Sequence, residues 1–450
     1  MRSDFAGALA GETLRLVEAV EAVARDLGAA AYVVGGAVRD WLLGMRAIRE
    51  VDVAVVGEAD EVARELARRV GGALVVFERF GTARVAAFGT YVDIARARSE
   101  SYARPGALPL PRAAGAIDED LSRRDFTINA IAVPLSGDAR RLVDPWGGQA
   151  DLQNRRLRAL HAGSFVDDPT RLFRGVRLAV RLGLEVDPET ARWMQAALDR
   201  RAVDTVSAER RGQEVRRALS ESPALPVARA FQAWGLWDAA CPGWELRPEA
   251  EPVLDTIDGH EKVMADLLGR VQRREADGIW NVRLMAVAMP WLGNRRERAE
   301  RRALLLARRL GLTRALRLSL LRAGAVRDAR RRLRRVSRPS TAHRALRALS
   351  PVQLVYLAAC GGGPGSPDYN WVEWFVNAGR HVRPALTGTD LAVLGCPPGP
   401  AVGRLQEALL AAVLDGKARG REEEKAWVLR RMRALAARAR RGVEVGNERC

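Results

Sequence analysis

At 450 residues the chain is too long for one ordinary core, so about two to four domains are expected, and with 48% hydrophobic residues it has the material to bury them. No apolar run approaches the ~18 residues of a membrane span, and Asp4, Glu12, Glu18 and Glu21 within an N-terminal helical pattern are wrong for a secretory signal. A net charge of +18 favours a polyanionic partner, while the isolated cysteines 241, 360, 396 and 450 suggest neither a zinc site nor a disulfide framework. The expectation is a cytoplasmic protein with no membrane partner.

Helical periodicity runs over residues 10–28. Short apolar runs at 31–35, 51–56, 73–77, 83–88 and 91–95 have strand length and are divided by turn residues such as Gly71-Gly72, Gly81 and Gly89. A helix at 58–69 lies between two of them. This is a mixed α/β head ending near residue 160. From Pro169 onward strand signals nearly vanish. Residues 170–182, 188–200 and 208–219 read as amphipathic helices, and the remainder looks helical, with connections at 241–252, 335–342 and 360–370. The expected division is a head at 1–160, a neck at 161–225, a body at 226–345 and a tail at 346–450. Residues 301–338 are crowded with arginine, with Asp328 as the sole acid, and read as a phosphate-binding surface.

Chemistry concentrates in a few strings. Gly35-Gly36 ends one apolar run and opens a helix, a turn whose free N–H groups and helix dipole favour an anion. Glu50 and Asp52 stand two residues apart at the next strand, where alternation puts them on one face. Paired carboxylates can hold two divalent metals about 3.5–4 Å apart for displacement at phosphorus, so the constellation reads as nucleotidyl transfer. Asp93 adds a third strand acid. Residues 103–119, rich in Pro, Gly and Ala, read as a mobile loop beside the site. The string Asp120-Leu-Ser-Arg-Arg-Asp-Phe-Thr-Ile-Asn-Ala130 offers guanidiniums for phosphate and a carboxylate and amide for sugar hydroxyls. Asp144-Pro-Trp-Gly-Gly148 reads as a turn with a helix cap. In Phe165-Val-Asp-Asp-Pro-Thr-Arg-Leu-Phe-Arg-Gly-Val-Arg177, arginines recur every three residues on one face behind two acids. A carboxylate there can accept from an exocyclic amino group, and a guanidinium can donate to ring acceptors. Ser207 can cap the following helix.

The order Gly-Gly, helix, acid-x-acid strand resembles the nucleotidyltransferase superfamily with the DNA polymerase β type of core. The fuller string Gly35-Gly-Ala-Val-Arg-Asp-Trp-Leu-Leu-Gly44, with the strings at 120–130 and 165–177, resembles class II tRNA nucleotidyltransferases and bacterial poly(A) polymerases. Residues 386–403 resemble the tail of bacterial members. The resemblance implies a polymerase β-type α/β head with a mixed sheet and helices, followed by an all-helical neck, body and tail. It implies Glu50, Asp52 and Asp93 as carboxylates holding Mg²⁺. It gives Gly35, Gly36 and Arg39 to phosphates, and Arg124, Asp125 and Asn129 to sugar and phosphates. Asp168 and Arg171 would read the base, supported by Arg174 and Arg177. The implied partners are the tRNA 3′ end, ATP and CTP; oligomeric state is not implied. Two positions depart from the family pattern: Glu50 stands where Asp is usual, and Asp167 where Glu is more usual.

The expected activity is template-independent addition of C and/or A to the tRNA 3′ end. A poly(A) polymerase, a partial CC- or A-adding enzyme, and a catalytically weakened tRNA-binding protein remain open alternatives. A dinucleotide-binding fold is disfavoured because Gly35-Gly36 makes no G-x-G-x-x-G.

Overall fold

The computed structural model describes residues 3–77, 81–135, 141–272 and 278–447, with side chains to residue 435; Cys450 lies outside them. The chain packs as two compact units, one of residues 1–218 with 226–243, the other of 219–225 with 244–450.

After a short helical turn at Ser3–Ala6, the first unit runs through helix α1 (Gly11–Asp26), strand β1 (Ala30–Val34), helix α2 (Gly36–Leu42), strand β2 (Val51–Val56) and helix α3 (Ala59–Val70). Strands β3 (Ala73–Phe77), β4 (Thr82–Ala87) and β5 (Thr90–Arg96) follow, and β8 (Ala132–Pro134) completes a six-stranded sheet of order β3-β4-β5-β2-β1-β8. The β2·β5 pair is parallel and the others are antiparallel, so the sheet is mixed. Strand β2 reads Val-Asp-Val-Ala-Val-Val and is apolar because it lies inside the sheet. Ala54, two residues from Asp52 and on its face, packs in a cluster with Val34, Ile117, Leu121, Ala130 and Ala132. The phosphate-like and sugar-like strings are thus pressed onto the same sheet face as Asp52.

The run 103–119, expected as one mobile loop, is partly regular. Strands β6 (Arg98–Ser101) and β7 (Leu110–Ala113) pair antiparallel across it, and helix α4 (Ile117–Ser122) begins within it. Helices α5 (Thr170–Leu182), α6 (Pro188–Asp199) and α7 (Ala208–Leu219) follow the expected spans closely. Asp187 caps α6 by accepting from the N–H groups of Glu189 and Thr190. Gly175 lets α5 approach the 120–130 string: a Cβ there would stand 2.8 Å from the Phe126 ring.

Helices dominate the second unit. The helix Trp280–Leu292 is buried along nearly its whole length and packs on Pro351–Cys360. Arg283, fully buried, pairs with Asp258 at 2.6 Å and Glu261 at 3.0 Å. Asp258 also accepts from the N–H groups of Ala224 and Leu225. The expected connections are shorter than read, because Pro252, Pro339 and Pro367 sit in the first turn of helices that start inside them. Among the described residues, no helix is long and apolar enough to cross a membrane.

Candidate active site

One cleft of about 630 Å³ in the first unit gathers Gly35, Gly36, Arg39, Asp52, Arg124, Asp125, Asn129, Asp168, Arg171, Arg174 and Arg177. Segments scattered over more than 140 positions of sequence thus meet at one place. Glu50 and Asp93 do not line it. Strand β2 begins at Val51, so Glu50 precedes the strand, and the alternation argument that paired it with Asp52 does not apply.

Asp93 is nonetheless the register partner of Asp52 across the parallel β2·β5 pair, so the two side chains share a sheet face. The antiparallel neighbour of Asp93 on β4 is Arg84. Arg84 Nε and Nη2 donate to the two Asp93 oxygens at 2.7 and 2.8 Å. The Asp52 side chain meets solvent at the cleft, yet the crowding walls displace enough water to raise its carboxyl above the ordinary value. The Asp93 and Glu50 charges add to that rise, against Arg124 and Arg84.

These charges bear on a cation. A carboxyl whose proton affinity is raised by burial and by neighbouring acids is the electrostatic setting that a hard divalent ion relieves, and carboxylate oxygens are its donors. Against it, Asp93 is engaged by Arg84, and among the described residues no three His, Cys, Asp or Glu side chains stand at metal-holding spacing. Asp52 and Asp93 are thus the two carboxylates of suitable chemistry on one sheet face, and the Glu50 charge acts on Asp52.

The glycine turn is built for close approach. Gly35 has φ +75°, and a Cβ there would lie 3.1 Å from Arg124 Nη1 and 3.9 Å from Asp52 Oδ2. Arg124 donates through Nη2 to Asp120 at 2.8 Å, while its buried Nε has no partner among the described residues. An anion seated on the Gly35–Gly36 turn would meet the Arg124 Nη1 edge of the guanidinium.

A polar chain runs behind the turn. Arg39 donates to Asp40 and, at 2.8 Å, to Asn129 Oδ1. Asn129 Nδ2 donates to Asp125 Oδ1 at 2.9 Å, and Arg174 donates to Asp125 Oδ2 at 2.6 Å. Burial pushes the Asp125 carboxyl up, but the Arg174 charge and the Asn129 and Arg174 hydrogen bonds outweigh it and hold it well below the usual carboxylate range. Arg39, expected at phosphates, lines the cleft but is buried, and its donors to Asp40 and Asn129 hold Asn129 in place.

Asp168 shows a division of labour between its oxygens. Oδ1 accepts from Thr170 N, Thr170 Oγ1 and Arg210 Nη2 at 3.1, 2.6 and 2.8 Å. Oδ2 has no hydrogen-bond partner among the described residues. Arg171 donates to Ser164 Oγ and to the Arg123 carbonyl, each at 2.7 Å. It ties α5 to the 120–130 string, so Asp168 presents the more open group.

Sequence reasoning missed several residues in and behind the cleft. Asp120 is buried and accepts from Arg123, Arg124 and the Arg98 N–H. Arg210 bridges Asp168 and the Gly106 carbonyl. Glu100, Tyr102, Arg181, Gln213 and Arg217 also line the cleft. Asp120 and Arg123 lay inside the 120–130 string, where a search for acids spaced to pair with neighbouring arginines would have found them. Nine lining residues are arginine (39, 123, 124, 171, 174, 177, 181, 210 and 217) against five acids (52, 100, 125, 168 and 214), which suits a polyphosphate.

Residues 31–158 match the poly A polymerase head domain family. The A-adding tRNA nucleotidyltransferase of Geobacter sulfurreducens is 32% identical over 92% of this chain and 46% of its own length. The CC-adding tRNA nucleotidyltransferase of Deinococcus radiodurans is 31% identical over 87% of each chain. A solved CCA-adding enzyme in an apo form superimposes with TM-score 0.77 at 26% identity, covering 94% of this chain and 96% of that one. The chain spans about half or less of the length of the A-adding relatives it matches.

Proposed function

The chain belongs to the tRNA nucleotidyltransferase family, and from that premise we propose that it adds C and/or A residues to the 3′ end of tRNA from CTP and ATP, without a nucleic-acid template. The observation that carries the reading is the cleft itself. It holds a glycine turn, Asp52 beside it with Asp93 in register on the adjoining strand, a cluster of arginines, and one Asp168 oxygen without a partner among the described residues.

Asp52 and Asp93, with Glu50 as the third acid, would hold Mg²⁺, which when bound supplies a Lewis acid for the attacking 3′-hydroxyl and neutralises triphosphate charge. Gly35 and Gly36 give room and N–H donors to the phosphates. Arg124, held by Asp120, spends its remaining donors on them. Asp125 and Asn129, locked by Arg174 and Arg39, face the sugar. Asp168 Oδ2 accepts from the amino group that cytosine and adenine share. Arg171, Arg174 and Arg177 keep α5 against that cleft.

The arginine-lined groove of about 840 Å³ in the second unit, with Arg296, Arg327, Arg331 and Arg334, would hold the tRNA backbone through phosphates and shape. The division into head 1–160, neck 161–225, body 226–345 and tail 346–450 belongs to the same proposal, as does a cytoplasmic site of action.

An extension assay tests it. The protein is given Mg²⁺, CTP and ATP with tRNA transcripts ending before CCA, after C and after CC, and 3′ ends are resolved to one nucleotide. Discrete addition ending at the terminal A supports the reading, and the ends accepted distinguish full from partial addition. Long A tails would replace it with a poly(A) polymerase.

A further inference from the structure

The sheet face that carries Asp52 is covered over one half and open over the other. Register carries a row of side chains across four strands. Asp52 on β2, Asp93 on β5, Arg84 on β4 and Val75 on β3 are successive partners, so all four stand on one face. On the β2–β1–β8 half, Ala54, Val34 and Ala132 of that face are buried in a cluster with Ile117, Leu121 and Ala130. On the β5–β4–β3 half, every side chain of that face keeps accessible surface, and Val75 and Phe77 are 50% and 42% exposed. The reverse side of these strands is closed, with Ala83, Val85, Val92 and Ile94 buried where α1 and α3 pack. The open half therefore begins at the carboxylates and runs to the edge of the sheet.

Its chemistry is that of a stacking ledge. The Arg84 guanidinium lies over the Tyr91 ring, 3.9 Å from its centroid, and is held there by its two bonds to Asp93. Val75 and Phe77 continue the surface with exposed apolar side chains on an edge strand, where a chain ordinarily places charge. Planar and apolar groups of this kind take the face of any base without reading its edge.

The direction of the reaction indicates which base. On the transfer reading, the triphosphate sits at the Gly35–Gly36 turn, which follows β1. Displacement at phosphorus runs in line, so the attacking hydroxyl approaches from the side opposite the leaving group. Across the sheet the order is the strand of the glycine turn, then Asp52, Asp93, Arg84 and Val75. The side away from the turn is the open half. The terminal base of an acceptor also changes with each nucleotide added, and stacking is the contact that tolerates the change.

We propose that the open half of this face seats the unpaired 3′-terminal nucleotide of the RNA acceptor, its base against the Arg84–Tyr91 ledge and the Val75 and Phe77 side chains. The assignment rests on reading the chain as an RNA-acting nucleotidyltransferase, and it adds the place where the second substrate docks.

The test uses the whole protein and two tRNA transcripts, one with its unpaired 3′ nucleotides ending in CC and one cut flush with the acceptor stem. Binding of each is measured without CTP or ATP. The natural chain is expected to bind the unpaired end about tenfold more tightly than the flush one. Val75→Glu should erase that advantage and raise KM for the CC-ended tRNA by a similar factor, with KM for ATP and CTP unchanged. Phe77→Ser, on the same face, should do the same and serves if the first variant misfolds. Val76→Glu adds the same charge one residue along, at a position 40% exposed on the opposite face, and should behave as the natural chain does. An advantage kept in both Val75→Glu and Phe77→Ser would overturn the assignment. An equal loss for both transcripts would overturn it by placing the RNA duplex on this face, and a loss shared by Val76→Glu would overturn it by tracing the effect to the fold of the strand. Failure of the natural chain to add nucleotides, with the advantage still dependent on Val75, would sink the transfer reading and leave this surface standing. Normal addition with an advantage indifferent to Val75 would do the reverse.

Discussion

Asp93 stands in register beside Asp52, yet gives both carboxylate oxygens to Arg84. The cross-strand geometry makes this unavoidable, because Arg84 is the antiparallel neighbour of Asp93 on the same face. Arg84 therefore competes with any cation that Asp93 helps to hold. Arg84→Ala is expected to lower the Mg²⁺ concentration at half-maximal activity several-fold, and Asp93→Ala to lower kcat by about 100-fold. A Mg²⁺ titration of both variants checks this. If removing Arg84 leaves the midpoint in place, Asp93 serves the sheet and not the cation.

The Asp52 carboxyl sets a pH limit. Its proton affinity is raised by burial and then by Asp93 and Glu50. The ionised form is the one that holds a cation, so activity is complete above the raised pKa and falls as pH drops through it. That limb lies at higher pH than an ordinary aspartate would give. Mg²⁺ competes with the proton, so more Mg²⁺ should move the limb to lower pH. Profiles of kcat/KM at two Mg²⁺ concentrations decide the matter, and an acid limb indifferent to Mg²⁺ would assign it to another group.

Asp125 and Asp120 work in the opposite direction. Both are held below the usual carboxylate range, Asp125 by Arg174 and Asn129 and Asp120 by Arg124 and Arg123, each against the upward push of burial. A depressed folded pKa confers stability that is complete above the unfolded value of about 3.9 and is lost as pH falls through it toward the folded one. Arg174→Ala strips the buried Asp125 of its ion pair and should cost about 2 kcal/mol at pH 7, below the range for a fully buried pair because Arg174 is partly exposed. Denaturant titrations at pH 7 and pH 3 measure it. An equal loss at both pH values would mean that the pair contributes packing and no charge.

Much of the head was legible because its strands are short apolar runs cut by glycines, and its site strings keep their order along the chain. The helices α5, α6 and α7 were legible from periodicity. What escaped were relations set by pairing. Glu50 and Asp52 look like a strand pair, but the strand starts one residue later. Arg39 looks like a phosphate ligand, but Asp40 and Asn129 already hold it. The run 103–119 looks like free loop by composition, but backbone pairing of 98–101 with 110–113 organises it. Composition reports propensity, and these outcomes depend on which groups pair.

The division of labour at Asp168 leads to a prediction about base choice. Oδ1 is saturated by Thr170 and Arg210, so the carboxylate cannot turn freely, and Oδ2 is the acceptor offered to the cleft. An acceptor fixed in place favours a base with an exocyclic amino group, as cytosine and adenine have, over uracil with its carbonyl. Asp168→Asn keeps an acceptor for Thr170 and Arg210 and puts an NH₂ where Oδ2 stood. The preference for CTP over UTP in single-turnover addition should then fall by about 10–100-fold, the worth of one good base contact. Arg210→Ala removes one of the donors that hold Oδ1, together with the tie to the Gly106 carbonyl, while sparing the carboxylate itself. It should lower the same ratio by a smaller factor, with discrimination partly restored by Arg210→Lys, which can still reach one of the two acceptors. An Asp168→Asn enzyme that keeps the full CTP preference would show that base choice lies elsewhere in the cleft, and would return Asp168 to the role of capping α5 through Thr170.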